Sequence, residues 1–323
     1  MRVIEIANGK GPASALHIAE RPHPAPASGE ICIQIKAAGV NRPDIVQREG
    51  RYPPPPGASD VLGLEVAGVV VAVGQDVTRW KVGDEVCALL GGGGYAEYAT
   101  VDARHALPIP KGLDFEQAAA LPETAFTVFT NVFEGGQLKA GETLLIHGAT
   151  SGIGVMAIQM AKAAGARVIA TSRTAAKAEA ARALGADISL DASSQNLAEE
   201  IQAAGGADVV LDMVGAAYAD LNLKSLKTGG RWVVIASLTG IKAEIDLQRI
   251  MLKKLVLPGS TLRSRPADEK ARLAAAVEAT VWPWVEAGAV KARIHARFPL
   301  DQAAQAHAEL EAGDHVGKIV LIP

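Results

Sequence analysis

Up to about residue 110 the apolar positions come in short runs: GEICIQIKAAGV, LEVAGVVVAVG, DEVCALL and GYAEYATV, each bounded by Gly, Pro or Asp. Short runs rich in Val, Ile and Tyr with turn signals between them predict a β-barrel or sandwich, not a layered α/β sheet. The stretch RYPPPPGASD (51–60) predicts a stiff, extended surface loop, because proline lacks the N–H and locks φ.

From about Glu116 the pattern changes. EQAAALPETAFTVFTNVFEGG has helical character, and strands and helices then alternate: TLLIHG, GIGVMAIQMAKAAGA, ARVIATS, AAKAEAARALGA, DISLD, ADVVLDMV and GRWVVIAS. Apolar strands alternating with helices of about 10–15 residues predict βαβ units and a doubly wound parallel sheet. After the helical LDQAAQAHAELEAG, the strand-like KIVLIP is expected to rejoin the first domain. The expected division is 1–122, 123–265 and a return over 266–323. KKLVLPGSTL (253–262) is expected to be the edge strand of the parallel sheet, and an exposed apolar edge invites pairing across a two-fold axis. A homodimer is therefore expected.

Length, 323 residues, agrees with about two domains. Lys+Arg 32 against Asp+Glu 35 leaves −3, so no whole-chain field recruits nucleic acid or an anionic membrane. The two cysteines, Cys32 and Cys87, lie in apolar runs and imply no disulfide framework. MRVIEIANGKG lacks the basic and apolar regions of a secretory signal, and no apolar run approaches the ~18 residues of a membrane span. The expected location is cytoplasmic.

HGATSGIG, His147 to Gly154, follows a strand and opens a helix. That context predicts backbone N–H groups and the positive end of a helix turned toward a pyrophosphate. The candidate contacts are Gly148, Ala149, Ser151, Gly152, Ile153 and Gly154. An NAD site wants a carboxylate about 20 residues further on for the ribose 2′-hydroxyl, yet Asp and Glu are absent from Val155 through Ala178. The next strand instead runs into TSRTAAK, with Ser172, Arg173 and Lys177. Two cations and a hydroxyl suit a 2′-phosphate, which predicts NADPH.

The same glycine spacing occurs in short-chain dehydrogenases, which need Tyr-x-x-x-Lys. None of Tyr52, Tyr95, Tyr98 and Tyr218 has a lysine four residues on, so that class is excluded. AAGVNRPDIVQREGRYPPPPGASDVLGLEVAGVVVAVG, RWKVGDEVCALLGGGGYAEYATV, HGATSGIGVMAIQMAKAAGARVIAT and VGKIVLIP, in this order, resemble the zinc-independent quinone oxidoreductase branch of the medium-chain dehydrogenase/reductase superfamily. The resemblance covers essentially the whole chain. It departs at Ser151, where that branch more often has glycine.

The resemblance implies an α/β fold: a GroES-like β-barrel domain plus a Rossmann-like domain, with nicotinamide and substrate meeting in a cleft. Zinc-dependent relatives carry a cysteine after A-G-V and a histidine within G-H-E, where this chain has Asn41 and Leu64. Two cysteines also cannot supply a four-cysteine structural zinc lobe. No metal site is expected, which leaves acceptors whose conjugation already makes them electrophilic.

The resemblance further implies a nicotinamide or substrate contact for Asn41, a place near the nicotinamide amide for Thr127, and cofactor contacts for Arg263 and Lys318. It also places the loop carrying Arg263 and Arg265 over the cofactor. Tyr52, heading the proline-stiffened loop, is the candidate donor to a substrate carbonyl. Each has a plainer reading as well. Asn41 and Asp44 serve equally as organisers of a helix start, Tyr52 as packing against the prolines, Thr127 as a helix-facing hydroxyl and the arginines as solvated loop residues. The histidines are scattered, and His147 reads as a strand-end residue.

The expectation is a metal-free oxidoreductase passing hydride from NADPH to a small quinone or other conjugated carbonyl. The alternatives are a reductase of 2-alkenals or enoyl thioesters, and an NADPH-binding sensor or structural protein with vestigial catalysis.

Overall fold

A computed structural model describes all residues, Met1–Pro323. The chain forms two compact units. The first is Met1–Phe126, Arg263–Glu286 and Ala292–Pro323; the second is Thr127–Leu262 with Ala287–Lys291. The edges expected at 122/123 and 265/266 thus fall at 126/127 and 262/263, and one short return segment joins the second unit.

The first unit starts with β1 (Arg2–Ile6), β2 (Leu16–Glu20), β3 (Glu30–Val40), α1 (Arg42–Arg48), β4 (Glu65–Val73), β5 (Glu85–Leu89), β6 (Tyr98–Asp102) and β7 (Ala106–Pro108). α2 (Phe115–Ala119) and α3 (Pro122–Val128) follow. The proline run carries no regular element. The second unit holds β8 (Thr143–His147), α4 (Gly152–Ala163), β9 (Arg167–Ser172), α5 (Ala175–Ala183), β10 (Ile188–Asp191), α6 (Leu197–Ala203), β11 (Ala207–Asp212), α7 (Ala219–Ser225), β12 (Leu226–Val234) and α8 (Leu247–Lys253). The chain then gives α9 (Ala267–Glu286), β13 (Ile294–Pro299), α10 (Ala303–Ala312) and β14 (Lys318–Ile322).

The first unit's main sheet has seven strands in the order β13-β14-β3-β4-β5-β7, with β6 also on β3. Its pairings are antiparallel except β13 with β14. Inward-facing Ile31, Ile33, Val66, Val70, Val86 and Ile319 are completely buried. Burial of this kind stabilises by about 1.5–3 kcal/mol per side chain. The registers Ile319↔Val40 and Ala38↔Val66 bring the end of β3 beside the starts of β14 and β4. This is the packing fact on which the first unit's polar site depends.

The second unit's sheet is fully parallel, in the order β10-β9-β8-β11-β12. Its strands are near-continuous apolar runs because helices cover both faces.

Two local expectations are corrected. The helical stretch from Glu116 is broken: α2 stops at Ala119, α3 restarts at Pro122, and Phe129–Gly135 continues in π-helical form. Proline is compatible with a first helical turn and not with an interior. In KKLVLPGSTL, Lys253 closes α8 and Lys254 caps it in left-handed conformation at φ 52°. Only single parallel bridges, Val256 to Arg231 and Gly259 to Val234, tie the rest to β12. No helix is long and apolar enough to cross a membrane.

Candidate functional site

In the second unit the glycine turn leaves β8 at His147. Gly148 has φ +69°, a left-handed value that glycine adopts without penalty. Ser151 is the N-cap of α4: its Oγ accepts from the Gly154 N–H at 3.0 Å and donates to the Gly148 carbonyl at 2.8 Å. The serine therefore closes the turn on itself, where glycine could not. A Cβ on Gly154 would fall 2.4 Å from the Gly148 oxygen and 2.5 Å from the Ala149 carbonyl carbon. Both are backbone atoms, so no side chain fits there. With Gly154 capped, the N–H groups of Gly152 and Ile153 are the first-turn donors left to an anion.

Beneath the turn lies a closed polar network. Asp212 accepts from the Val214 and Gly215 N–H groups at 2.7 and 3.1 Å, and from Asn222 Nδ2 and Trp232 Nε1 at 3.0 Å each. An ionised carboxylate only accepts, so the Asn222 amide has a defined orientation and its oxygen faces His147 Nε2 at 2.7 Å. His147 therefore donates from Nε2 and accepts at Nδ1 from the Thr171 hydroxyl, 2.8 Å away. Burial holds this imidazole below its usual pKa, consistent with the neutral tautomer. A residue read as an ordinary strand end is the hub of the support for the turn.

At the end of β9 the Ser172 hydroxyl is buried without a hydrogen-bond partner, which is costly unless a ligand completes it. Arg173 is exposed and Lys177 partly so, in the first residues beyond the strand. This orphaned donor beside two cations fits the ribose-phosphate end of a dinucleotide. Thr127, on α3, is partly exposed; its carbonyl accepts from Asn131 Nδ2 at 2.8 Å.

In the first unit the three adjacent strand ends gather Asn41, Glu65 and Lys318. The Lys318 ammonium lies 2.7 Å from Glu65 Oε1 and donates to the Val40 carbonyl at 2.9 Å and to Asn41 Oδ1 at 2.5 Å. Asn41 Nδ2 donates to the same Glu65 oxygen at 2.9 Å, and the Glu123 N–H donates to Glu65 Oε2 at 2.8 Å. Glu65 is completely buried, and its charge is matched by the lysine. All three ammonium donors are thus used within this unit. In the structure Lys318 is engaged in this ion pair and not in the cofactor contact that the resemblance implies. A Cβ on Gly39 would sit 2.1 Å from Glu65 Oε1, so any side chain there would displace the Glu65 carboxylate.

A second chain of bonds reaches Asn41 from α10. Arg48 forms two bonds to Glu311, at 3.0 and 2.7 Å, and approaches His307 Nδ1 at 3.2 Å. His307 Nε2 and Asp44 Oδ2 each lie 3.0 Å from the Tyr95 hydroxyl. Because Arg48 only donates, His307 accepts at Nδ1 and donates from Nε2 to the Tyr95 oxygen, and the Tyr95 hydroxyl donates its hydrogen bond to Asp44. Asp44 also accepts the Asn41 N–H at 2.8 Å, which anchors the start of α1. Burial, then Arg48, hold His307 down to about pKa 3, while burial pushes Asp44 up to about 6.

Tyr52, partly buried, lies under the Arg263 guanidinium at 5.3 Å. Arg263 is buried, donates from Nε to the Gly91 carbonyl at 2.8 Å and from Nη1 to the Tyr52 carbonyl at 3.4 Å, and leaves Nη2 buried without a partner. Expected as a cofactor contact, it belongs to the first unit and keeps one donor for a ligand. Glu65, Glu123, Tyr95 and His307 were not singled out as site residues from the sequence. Of these, Glu65 directly follows Leu64, where zinc-dependent relatives carry a histidine. No group of three or more His, Cys, Asp or Glu side chains is placed to hold a metal.

Two family models match the chain: the alcohol dehydrogenase GroES-like domain over residues 27–111 and the zinc-binding dehydrogenase domain over 152–279. A quinone oxidoreductase of Rattus norvegicus is 32% identical over 327 residues, covering 100% of this chain and 98% of the relative. The Escherichia coli quinone oxidoreductase solved with NADPH superposes with a TM-score of 0.90 at 30% identity, covering 100% of both chains. A mycocerosic acid synthase-like polyketide synthase of Mycobacterium tuberculosis is 34% identical over 92% of this chain, which spans 14% of that protein. The chain belongs to the quinone oxidoreductase branch of the medium-chain dehydrogenase/reductase superfamily, a family of oxidoreductases that use a nicotinamide dinucleotide.

Proposed function

We propose that this protein is a zinc-independent reductase that uses NADPH to reduce quinones. One observation carries the choice of cofactor: the buried, unpartnered Ser172 hydroxyl beside Arg173 and Lys177, with no carboxylate between Val155 and Ala178. A ribose 2′-hydroxyl calls for a carboxylate here; a 2′-phosphate calls for these donors. Full-length likeness to quinone oxidoreductases supports the choice of acceptor.

In this reading Gly148 and Ala149 shape the turn, Gly152 and Ile153 donate to the pyrophosphate, and Ser151 and Gly154 hold the turn closed. Bound NADPH supplies the hydride. Asn41 presents an amide of defined orientation to nicotinamide or acceptor, Thr127 offers a hydroxyl near the nicotinamide amide, and Tyr52 donates to the acceptor carbonyl. The protein's contribution is alignment and selective hydrogen bonding, since a conjugated acceptor spreads the incoming charge itself.

The match to a polyketide synthase segment favours one alternative, reduction of enoyl thioesters or 2-alkenals. The test is steady-state NADPH oxidation, with NADH in parallel, against ortho-quinones, para-quinones, 2-alkenals and crotonyl thioester. Quinone turnover preferring NADPH is expected. Turnover of alkenal or thioester alone replaces the acceptor, and tight NADPH binding with no turnover replaces the enzyme by a sensor.

We also propose a homodimer formed on the second unit and a cytoplasmic location. Leu238, Ile241, Leu247, Met251, Leu252 and Val256 are all more than half exposed, an apolar stretch alongside the sheet edge of the kind that marks an interaction surface. A monomer at every concentration in analytical ultracentrifugation overturns the dimer, and recovery of the protein with membranes on cell fractionation overturns the location.

A further inference from the structure

Glu123 stands in the first turn of α3. A carboxylate there normally gains from the helix dipole and from free backbone N–H groups. Here that advantage is lost, because the Glu123 N–H is given to Glu65, itself a buried carboxylate. The groups facing Glu123 come from several elements: Glu65 of β4, Lys318 of β14, Asp44 of α1, Arg263 and Tyr52 from loops, and Lys270 of α9. Lys318 is already committed to Glu65 and Asn41, and Arg263 directs two nitrogens at carbonyls. The Glu123 carboxyl makes no hydrogen bond in the structure, yet its side chain keeps a partly open surface. Burial, then the neighbouring Glu65, push it up to about pKa 8, so at neutral pH it carries a proton.

The second observation is Arg263 Nη2, a cationic donor buried without a partner in the same cluster. A buried unpartnered N–H of a guanidinium calls for an oxygen ligand. We propose that Glu123 is the proton donor of the reaction, with Arg263 holding the acceptor oxygen that becomes negative as hydride arrives. The idea rests on the reductase reading above and extends it to a step that reading leaves unassigned. The balance is simple. Hydride from the cofactor brings two electrons and one hydrogen to the acceptor, whose carbonyl becomes an oxyanion. The Glu123 O–H bond breaks, the product O–H bond forms, and the remaining carboxylate regains its proton from water through the open side of the residue.

The test has two parts. The first needs no cofactor: infrared difference spectra of the protein labelled with ¹³C-glutamate. Wild type should show a protonated carboxyl band at pH 7 that fades as pH rises through about 8, and Glu123→Gln should lack it. The second is the pH profile of kcat with the best quinone. Wild type should lose rate above about pH 8. Glu123→Gln should lose that limb and about 100-fold in kcat, with acceptor KM and NADPH Kd little changed. The melting temperature of this isosteric variant reports whether it folds. Absence of the band in wild type overturns the proposal, as does a variant that keeps kcat within about twofold and the same profile. If wild type turns over none of the acceptors, the reductase reading fails and the proposal fails with it. If wild type is active and only the variant behaves unexpectedly, the proposal alone fails.

Discussion

The two units hold polar groups inside apolar cores, but they use them differently. In the site proposed for the second unit the ligand is met by backbone N–H groups on one turn, and the buried side chains Asp212, Asn222 and His147 brace that turn. In the first unit the candidate chemistry is carried by side chains, and charge is buried there: Lys318 pairs with Glu65 inside the core, and the buried Arg48 reaches out to Glu311 at the surface. A backbone site survives most side-chain changes that leave the turn intact. A buried-charge site does not, because removing one partner strands the other in a medium that solvates it poorly.

The largest expected effect comes from Lys318→Met, which leaves Glu65 buried without its counter-ion. A loss of about 3–5 kcal/mol is expected, read from the urea midpoint. The double variant with Glu65→Gln should recover much of that loss. If the single variant is as stable as wild type, the contrast between the units collapses on its first-unit side.

Next is Tyr95→Phe, which removes the donor to Asp44 and the acceptor for His307. It should cost about 1–3 kcal/mol, checked by the same denaturation. Gly154→Ala should act on binding more than on stability, since its Cβ would press on the backbone of the turn. NADPH Kd should rise about tenfold, or about 1.4 kcal/mol, by fluorescence titration.

The pH dependence sharpens the same contrast. His307 has a folded pKa of about 3 against an ordinary value of 6.5, so the unfolded chain binds more protons between those values. Its contribution to stability is complete above about pH 6.5 and is lost as pH falls toward about 3. His307→Gln should flatten the acid side of a stability–pH curve. The smallest effect is expected from Arg173→Ala on the exposed rim of the second unit. KM for NADPH should rise roughly 2- to 5-fold, as for an exposed ion pair, with NADH unaffected.

The glycine turn was legible because it is local. Gly148, Ser151, Gly152 and Gly154 lie within one turn, and their roles follow from φ, capping and space at neighbouring residues. The first unit's site was illegible for the opposite reason. Lys318 and Asn41 are 277 residues apart, and His307 and Tyr95 are 212 apart. No motif within either segment signals the other. The resemblance accordingly implies a cofactor contact for Lys318, whereas its partners in the structure are a carboxylate, a carbonyl and an amide. Glu123 stands in the first turn of α3, where a carboxylate is ordinarily stabilised, and only the arrival of Glu65 at its N–H reverses that.

By itself the sequence determined the alternation of strands and helices in the second unit, the short strands of the first, the glycine turn and the lack of an acid beyond β9. These depend on periodicity and backbone preference, which act over a few residues. The tertiary structure alone decided which charges meet. The register of β14 on β3 and of β3 on β4 brings Lys318, Asn41 and Glu65 to one point. Inside a core, electrostatics depends on the distance between side chains and their access to water, and only the packed chain sets either of them.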